Sequence, residues 1–467
     1  MLDGEVTRVK NIVLIVVDTL RADRLGCYGY GRETSSHLDA LAAAGWRLEE
    51  LVSASNFTAP AMTSLLTARD PVQHGVFDFR SETTTSFPYD IARRAGYRVG
   101  GAVAFRFLKR LLARAWGPLE VVTEERTGHM AADLPEQVTN AGLEWLDAQP
   151  EAPFCLFLHY NGPHMPYRLG APSAGRFGPL QPEGVDPDLI RTFAVPAETP
   201  RTATEAAWRP RMRRSIELID LGLRRLTPPV RAWFDDRYDE AVRDNDAAVG
   251  RLLQGLNERG LEEETVIGVV SDHGEELMQH GSLTHGGIHL YQEVIRTVGL
   301  VRAPGGAEGR VCRAPLSHVE FLPLLFALAL VPGIPDAWRR LPSLLDADGR
   351  EEPLFCVGEY KTAVRQGRWK LIHTLPLPVY ARAKRLRMKL RLLLRRELGD
   401  ELYDLVKDPG ETRNLRRKHP EVADRLRRQV RGFWRRMDGG DPPASGMLPG
   451  SRERKRIEEE MRELGYL

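Results

Sequence analysis

The apolar positions of this chain fall in short continuous runs, set between longer segments whose apolar residues recur at helical spacing. Asn11 to Val17 is a β-branched run that ends on Asp18, the pattern of a strand covered on both faces of a parallel sheet. Three other runs repeat the grammar. Tyr97 to Ala104 follows the helix-like Asp90 to Ala95, Pro153 to Tyr160 follows Leu134 to Ala148, and Thr265 to Val270 follows Tyr238 to Arg259. Strands alternating with helices predict an α/β sandwich, a doubly wound sheet with helices on both sides. The carboxyl ends of such strands face the ligand crevice. Asp18, the cluster His159 to His164 and the cluster Ser271 to Glu275 therefore converge on one sheet edge.

Between the two later clusters, Leu169 to Pro229 is rich in Pro, Gly and Arg with weak periodicity, and is expected to be an insertion covering the sheet edge or shaping the entrance to the crevice. After about Pro353 the pieces Phe355 to Glu359, Thr362 to Gln366 and Arg368 to Thr374 predict a small antiparallel subdomain followed by helices. The chain thus divides into residues 1–352 and 353–467. Within the second part, Ala381 to Arg396 is a basic amphipathic helix candidate with leucines at 386, 390, 392, 393 and 394. It either lies on an anionic membrane surface or packs its leucines on the domain. Gly439 to Gly450 reads as a linker, and Ser451 to Leu467 as a terminal helix dense in charge.

Charge and cysteine content narrow the picture. With 66 basic against 64 acidic residues the net charge is +2, so nothing global points to a nucleic-acid partner. The four cysteines, Cys27, Cys155, Cys312 and Cys356, lack metal-ligand spacing and are expected to be free, mostly buried thiols. Met1 to Lys10 is polar and leads straight into the first strand, and apolar runs such as Leu322 to Val331 fall short of a bilayer span. The expected compartment is the cytoplasm.

Four clusters carry candidate chemistry. Asp18, a carboxylate aimed at the crevice, needs a cation or hydrogen bonds to offset its desolvation, and is either a metal ligand or a helix N-cap. Thr58 precedes a proline at the start of an apolar helix, where its hydroxyl is either a nucleophile beside free N–H groups or a plain N-cap. His159 and His164 flank a strand-end loop with two prolines and offer proton donors near neutrality. Four of the 12 histidines fall between positions 273 and 289, after Asp272, so that Asp272 and His273 supply one oxygen and one nitrogen ligand.

These stretches resemble the prokaryotic sulfatase family of the alkaline phosphatase superfamily. VDTLRADRLGCYGY from Val17, NFTAPAMTSLLT from Asn56, HYNGPHMPY from His159, SDHGEEL from Ser271 and LYQEVIR from Leu290 stand in that family's order, as do the C-terminal GRWKLI from Gly367 and ELYDLVKDPGETRNL from Glu401. The resemblance implies an alkaline-phosphatase-like fold in which Asp18, Asp272 and His273 ligate a metal together with the nucleophile Thr58. His164 then donates a proton to the leaving group and His285 contacts the ester oxygens. The spacing from His285 to Glu293 is one residue longer than usual, which makes His289 a rival for that last role.

Two departures qualify the resemblance. Sulfatases proper carry Cys or Ser in a C/S-x-P-x-R motif that is oxidised to formylglycine, whereas here the positions read Thr58-Ala59-Pro60-Ala61-Met62. Threonine has no route to the hydrated aldehyde whose second hydroxyl expels sulfate, and instead resembles the nucleophile of phosphoglycerol and phosphoethanolamine transferases. Phosphate esters are favoured over sulfate on that ground, without excluding sulfate. Secondly, Asp18 is followed by Thr19 rather than a second aspartate, so one divalent ion is expected, manganese or zinc ahead of calcium or magnesium. The expected partner is a small-molecule or lipid-headgroup ester, with peripheral membrane contact through Ala381 to Arg396. The alternative is a catalytically inactive sulfatase-like protein that binds an anionic ligand or partner.

Overall fold

The computed structural model describes residues 9–79, 81–103, 108, 111, 121–123, 134–148, 153–196, 205–220, 222–285, 289–306, 308–359, 361–374 and 399–439. The run 381–396, most of the expected linker and the terminal helix lie outside them. A mixed sheet forms the centre, built from β1 (Asn11–Val17), β2 (Trp46–Leu48), β3 (Arg98–Val103), β4 (Val121–Thr123), β5 (Phe154–Tyr160), β6 (Thr265–Val270), β7 (Gly299–Arg302) and β8 (Arg310–Cys312). Their order is β8-β2-β7-β6-β1-β5-β3-β4. The four strands expected from the sequence are neighbours and parallel: β1 pairs with both β5 and β6, and β3 with β5. The sheet departs from a wholly parallel one at β7, which runs antiparallel to β6 and β2.

Each face of β1 has its own core. Ile12, Leu14 and Val16 pack with Leu65 of α1 (Thr58–Thr67) and with Phe321 and Leu325 of a later helix, His318–Leu328. Val13, Ile15 and Val17 pack with Val138 and Trp145 of α2 (Leu134–Asp147) and with Val249 and Leu252 of α3 (Pro228–Glu258). Alternation by two residues sends successive side chains to opposite faces, which is why a central strand flanked by helices reads as one unbroken apolar run.

Two expectations are corrected. Helix α3 begins ten residues before Tyr238, because Pro228 and Pro229 sit at its first turn, where a missing N–H costs nothing. The stretch 169–229 is also more ordered than its weak periodicity suggests. It holds the helix Pro187–Phe193, capped by the Asp186 carboxylate accepting from the Asp188 N–H, and the helix Glu205–Asp220. The first is only seven residues long, too brief to show a period, whereas the second packs Met212, Ile216 and Ile219 at helical spacing among several arginines.

Beyond position 353, β9 (Leu354–Val357), β10 (Lys361–Gln366), β11 (Trp369–Thr374) and β12 (Glu401–Asp404) form an antiparallel sheet in that order. Helix α4 (Pro420–Gly439) lays Ala423, Leu426, Val430 and Phe433 onto it. The other face shares a core with Val52, Leu290, Val294 and Ile295, so this sheet rests against the loop that follows β6. All four cysteines are free, Cys27 half-buried and the others buried. Among the described residues no helix is long and apolar enough to cross a membrane.

Candidate functional site

The site forms where β1, β5 and β6 end side by side. Chain direction changes sharply after β1: Thr19 adopts φ 57°, a left-handed conformation costly for a β-branched residue. Tyr238 on α3 holds that turn, donating from its hydroxyl to the Thr19 carbonyl at 2.7 Å and accepting from the Arg21 N–H at 2.9 Å. Such strain persists only where surrounding structure fixes it, and it marks the place where Asp18 is delivered.

Asp272, at the end of β6, accepts on Oδ1 from the backbone N–H groups of Thr19 at 3.1 Å and His273 at 2.8 Å. Its other oxygen, Oδ2, and Asp18 Oδ1 are buried without a hydrogen-bond partner. His273 Nδ1 lies 3.0 Å from the Gly274 carbonyl, which places the ring hydrogen there and leaves a lone pair on Nε2. That Nε2 lies 3.2 Å from Asp272 Oδ2 and 3.1 Å from Thr58 Oγ1. Gly274 is required for this packing, since a Cβ there would lie 2.0 Å from the Glu293 carbonyl oxygen.

Electrostatics at the strand ends are those of a cation site. Burial, and then the charges of Asp272 and Glu275, push the Asp18 carboxyl well above the carboxylate range. Burial brings His273 down to about 4, so its ring is neutral at pH 7. A bare carboxylate oxygen facing an imidazole lone pair in a dry pocket is an arrangement of acceptors without a donor, and a divalent ion satisfies it. Ligand atoms of Asp18, Asp272 and His273 all lie within 4.8 Å of one another. The residues therefore fit the group, and two oxygens with one nitrogen are compatible with manganese or zinc. A thermal melt checks this. Manganese or zinc at a hundredfold its Kd is expected to stabilise the protein by about 2.7 kcal/mol. In Asp18→Asn the metal-induced shift disappears, and an equal shift in wild type and variant would remove Asp18 from the ligand set.

Thr58 is not an N-cap. It is the first residue of α1, after the capping position Phe57, and its hydroxyl points to His273. Nor does Asp18 cap a helix, since the short helix that follows it starts from Arg21. Met62, where the formylglycine motif has arginine, is fully buried in the apolar core.

The four-histidine segment divides. His285 packs against His273 with ring centroids 4.2 Å apart and edge-on to His164 at 5.1 Å, with Nδ1 3.2 Å from Glu275 Oε1. His289 is turned elsewhere, with Nδ1 against Glu276 and its ring edge-on to Tyr291. His280 pairs with Glu293 and stacks on Tyr291. His164 keeps Nδ1 on the Met165 carbonyl, so Nε2 is its ring atom available for proton transfer. Burial, and then His285, lower it to about 4. Beside it a cleft opens against α3, lined by Arg168, Asp244 and Asn245.

One residue here was given no role of its own from the sequence. Glu275 is buried beneath His285, and burial raises its carboxyl to about 7. His159, expected beside His164 as a proton donor, is instead fully buried at the end of β5 with Nε2 4.0 Å from Asp18 Oδ2.

The sulfatase family model matches residues 10–331. Arylsulfatase A of Homo sapiens is 27% identical over 465 residues, covering 88% of this chain and 84% of the relative. N-acetylgalactosamine-6-sulfatase of Canis lupus familiaris is 25% identical over 382 residues, covering 77% and 71%. Two solved structures share the fold at 17% identity. One, in complex with its substrate D-glucosamine-2-N,6-O-disulfate, has a TM-score of 0.67 and covers 94% of this chain and 100% of that one. The other, the phosphonate monoester hydrolase of Agrobacterium radiobacter, has a TM-score of 0.64 with coverage of 92% and 96%. With the strand-end arrangement and a family match over most of its length, this chain belongs to the sulfatase family and is a sulfatase-like ester hydrolase.

Proposed function

We propose that this protein cleaves phosphate esters, and sulfate esters less readily, through a covalent adduct on Thr58. The observation that carries the reading is the meeting of Thr58 Oγ1 with His273 Nε2 at 3.1 Å, beside the bare oxygens of Asp18 and Asp272. These four residues would hold one divalent ion. When bound, such an ion neutralises negative charge developing at the reacting centre and favours an ionised hydroxyl.

Thr58 Oγ1, its proton lost to solvent, attacks phosphorus, and the bond to the alcohol oxygen breaks. The alcohol oxygen takes the proton held at His164 Nε2. An anionic ester among these rings adds the opposite charge, which favours the protonated His164 that donation requires. His285, oriented by Glu275, presents its other ring nitrogen to the ester oxygens. Thr58 has no second hydroxyl, so the adduct is opened from outside, by water or by an acceptor alcohol. That requirement favours phosphorus over sulfur as the centre attacked. The leaving alcohol is expected on the Arg168 and Asn245 side of His164, and a lipid headgroup is the ester that would give the basic run 381–396 a role.

Turnover of an aryl sulfate, a phosphate monoester and a phosphodiester, each with manganese, zinc, calcium or magnesium, tests the reading. Phosphate turnover above sulfate turnover is expected. Failure of every ester with every metal would favour the inactive, anion-binding alternative. The histidines can be separated as well. His285→Ala is expected to lower kcat on the order of 10²-fold, whereas His289→Ala, which strips Glu276 of its partner, lowers stability and spares kcat. The reverse pattern would hand the role to His289.

A further inference from the structure

We infer that the outward face of α4 is a docking surface for the anionic headgroups of a lipid bilayer. The inward face of this helix is committed, with Ala423, Leu426, Val430 and Phe433 buried against the C-terminal sheet. The helix therefore cannot roll to offer apolar residues, and its outward face is fixed in orientation. That face carries Arg425, Arg428, Arg431 and Arg435, all exposed, at spacings of three, three and four. They form a stripe about 15 Å long on one side. Among the described residues none of the four guanidinium groups has an ion-pair partner, and the two acids in the first turns of the helix are engaged elsewhere: Asp424 by Arg427 and Glu421 by His419. From Thr412 to Met437 the chain carries ten Lys and Arg against two acids, a net of +8 in a protein whose total is +2.

A second observation bears on what covers the stripe. The segment 375–398, between β11 and β12, contains the run Ala381 to Arg396, with eight Lys and Arg, no acid and five leucines. The two ends of that segment are tied to each other and, through Asp400, to α4. Thr374 donates from its hydroxyl to the Gly399 carbonyl at 2.9 Å, and His373 Nδ1 lies 2.8 Å from Asp400 Oδ1. The other Asp400 oxygen accepts from Arg427 of α4 at 2.8 Å. Two strongly basic stretches, separate in sequence, are thus rooted at one corner of the subdomain. A soluble polyanion would complement the arginines alone. A bilayer interface also rewards leucines set among cations, and charge on a planar surface suits a helix that presents charge only.

The inference does not rest on ester chemistry and is tested without turnover. The full-length chain would be sedimented with phosphatidylcholine vesicles and with vesicles containing about one-third phosphatidylglycerol, at low and high salt. Binding is expected to the anionic vesicles only, and to be lost at high salt. The variant Arg425→Gln/Arg428→Gln/Arg431→Gln/Arg435→Gln is expected to partition at least about tenfold more weakly, with an unchanged thermal midpoint because only exposed side chains change. Absence of wild-type binding at low salt overturns the inference, and so does a folded variant that binds as wild type. Capture by a sulfated polysaccharide without capture by vesicles would assign the stripe to a soluble polyanion instead, and equally overturns it.

Discussion

Thr58→Ala is expected to lower kcat on the order of 10³-fold or more toward whichever ester the wild type turns over, with no loss of folding. The chemical effect is large because, in the proposed course, the hydroxyl is the atom that forms the adduct; without it, only attack by water on a positioned ester remains. The structural effect is small for three reasons. Phe57, not Thr58, caps α1, and makes no side-chain capping bond. Alanine is a better helix former than threonine. Removing the hydroxyl deprives His273 of a partner at Nε2, but that ring is a neutral imidazole rather than a charge. Thr58→Ser keeps the oxygen and is expected to retain most of the activity. Steady-state kinetics on both variants, with intact-mass detection of a phosphoryl adduct in wild type and its absence in Thr58→Ala, would check the assignment. Wild-type kcat in Thr58→Ala would end the nucleophile role and move the chemistry to direct attack by water.

How far the sequence reveals this site follows from the range of each interaction. Strands β1, β5 and β6 were legible because a strand buried on both faces must be apolar throughout, and this leaves a local signature. Asp18, Asp272 and His273 were legible for the same reason: a polar residue at the end of such a strand can only face the crevice. The antiparallel direction of β7 left no trace, since Gly299 to Arg302 is too short for its pattern to encode direction. The choice between His285 and His289 was equally hidden. It depends on how the loop after β6 folds back so that Glu275 meets one ring and Glu276 the other. Those pairings join residues ten and thirteen apart in a segment with no period. Glu275 and Glu276 are adjacent acids in the chain, yet they hold different histidines.

The C-terminal motifs show the same limit from another side, because their order was visible and their purpose was not. Lys370 of GRWKLI and Glu411 of DPGET form a fully buried ion pair at 2.8 Å. The second Glu411 oxygen accepts from the Gln292 backbone N–H at 2.6 Å. Gln292 opens the short helix that carries Glu293, the partner of His280, so the pair ties the C-terminal sheet to the segment that ends the loop after β6. Burial is the largest influence on Glu411 and raises its carboxyl above the ordinary range despite Lys370. The pair is therefore a coupling element rather than a net source of stability. Lys370→Met is expected to destabilise the protein by about 3–5 kcal/mol, since it leaves a buried carboxylate without its cation. The double variant Lys370→Met/Glu411→Gln removes that charge, keeps an acceptor for Gln292, and is expected to recover at least half of the loss. Denaturation midpoints of the three proteins decide the matter. If the double variant were as unstable as the single, the cost would lie in packing around Lys370, and the ion pair would not be what holds the C-terminal sheet to the loop after β6.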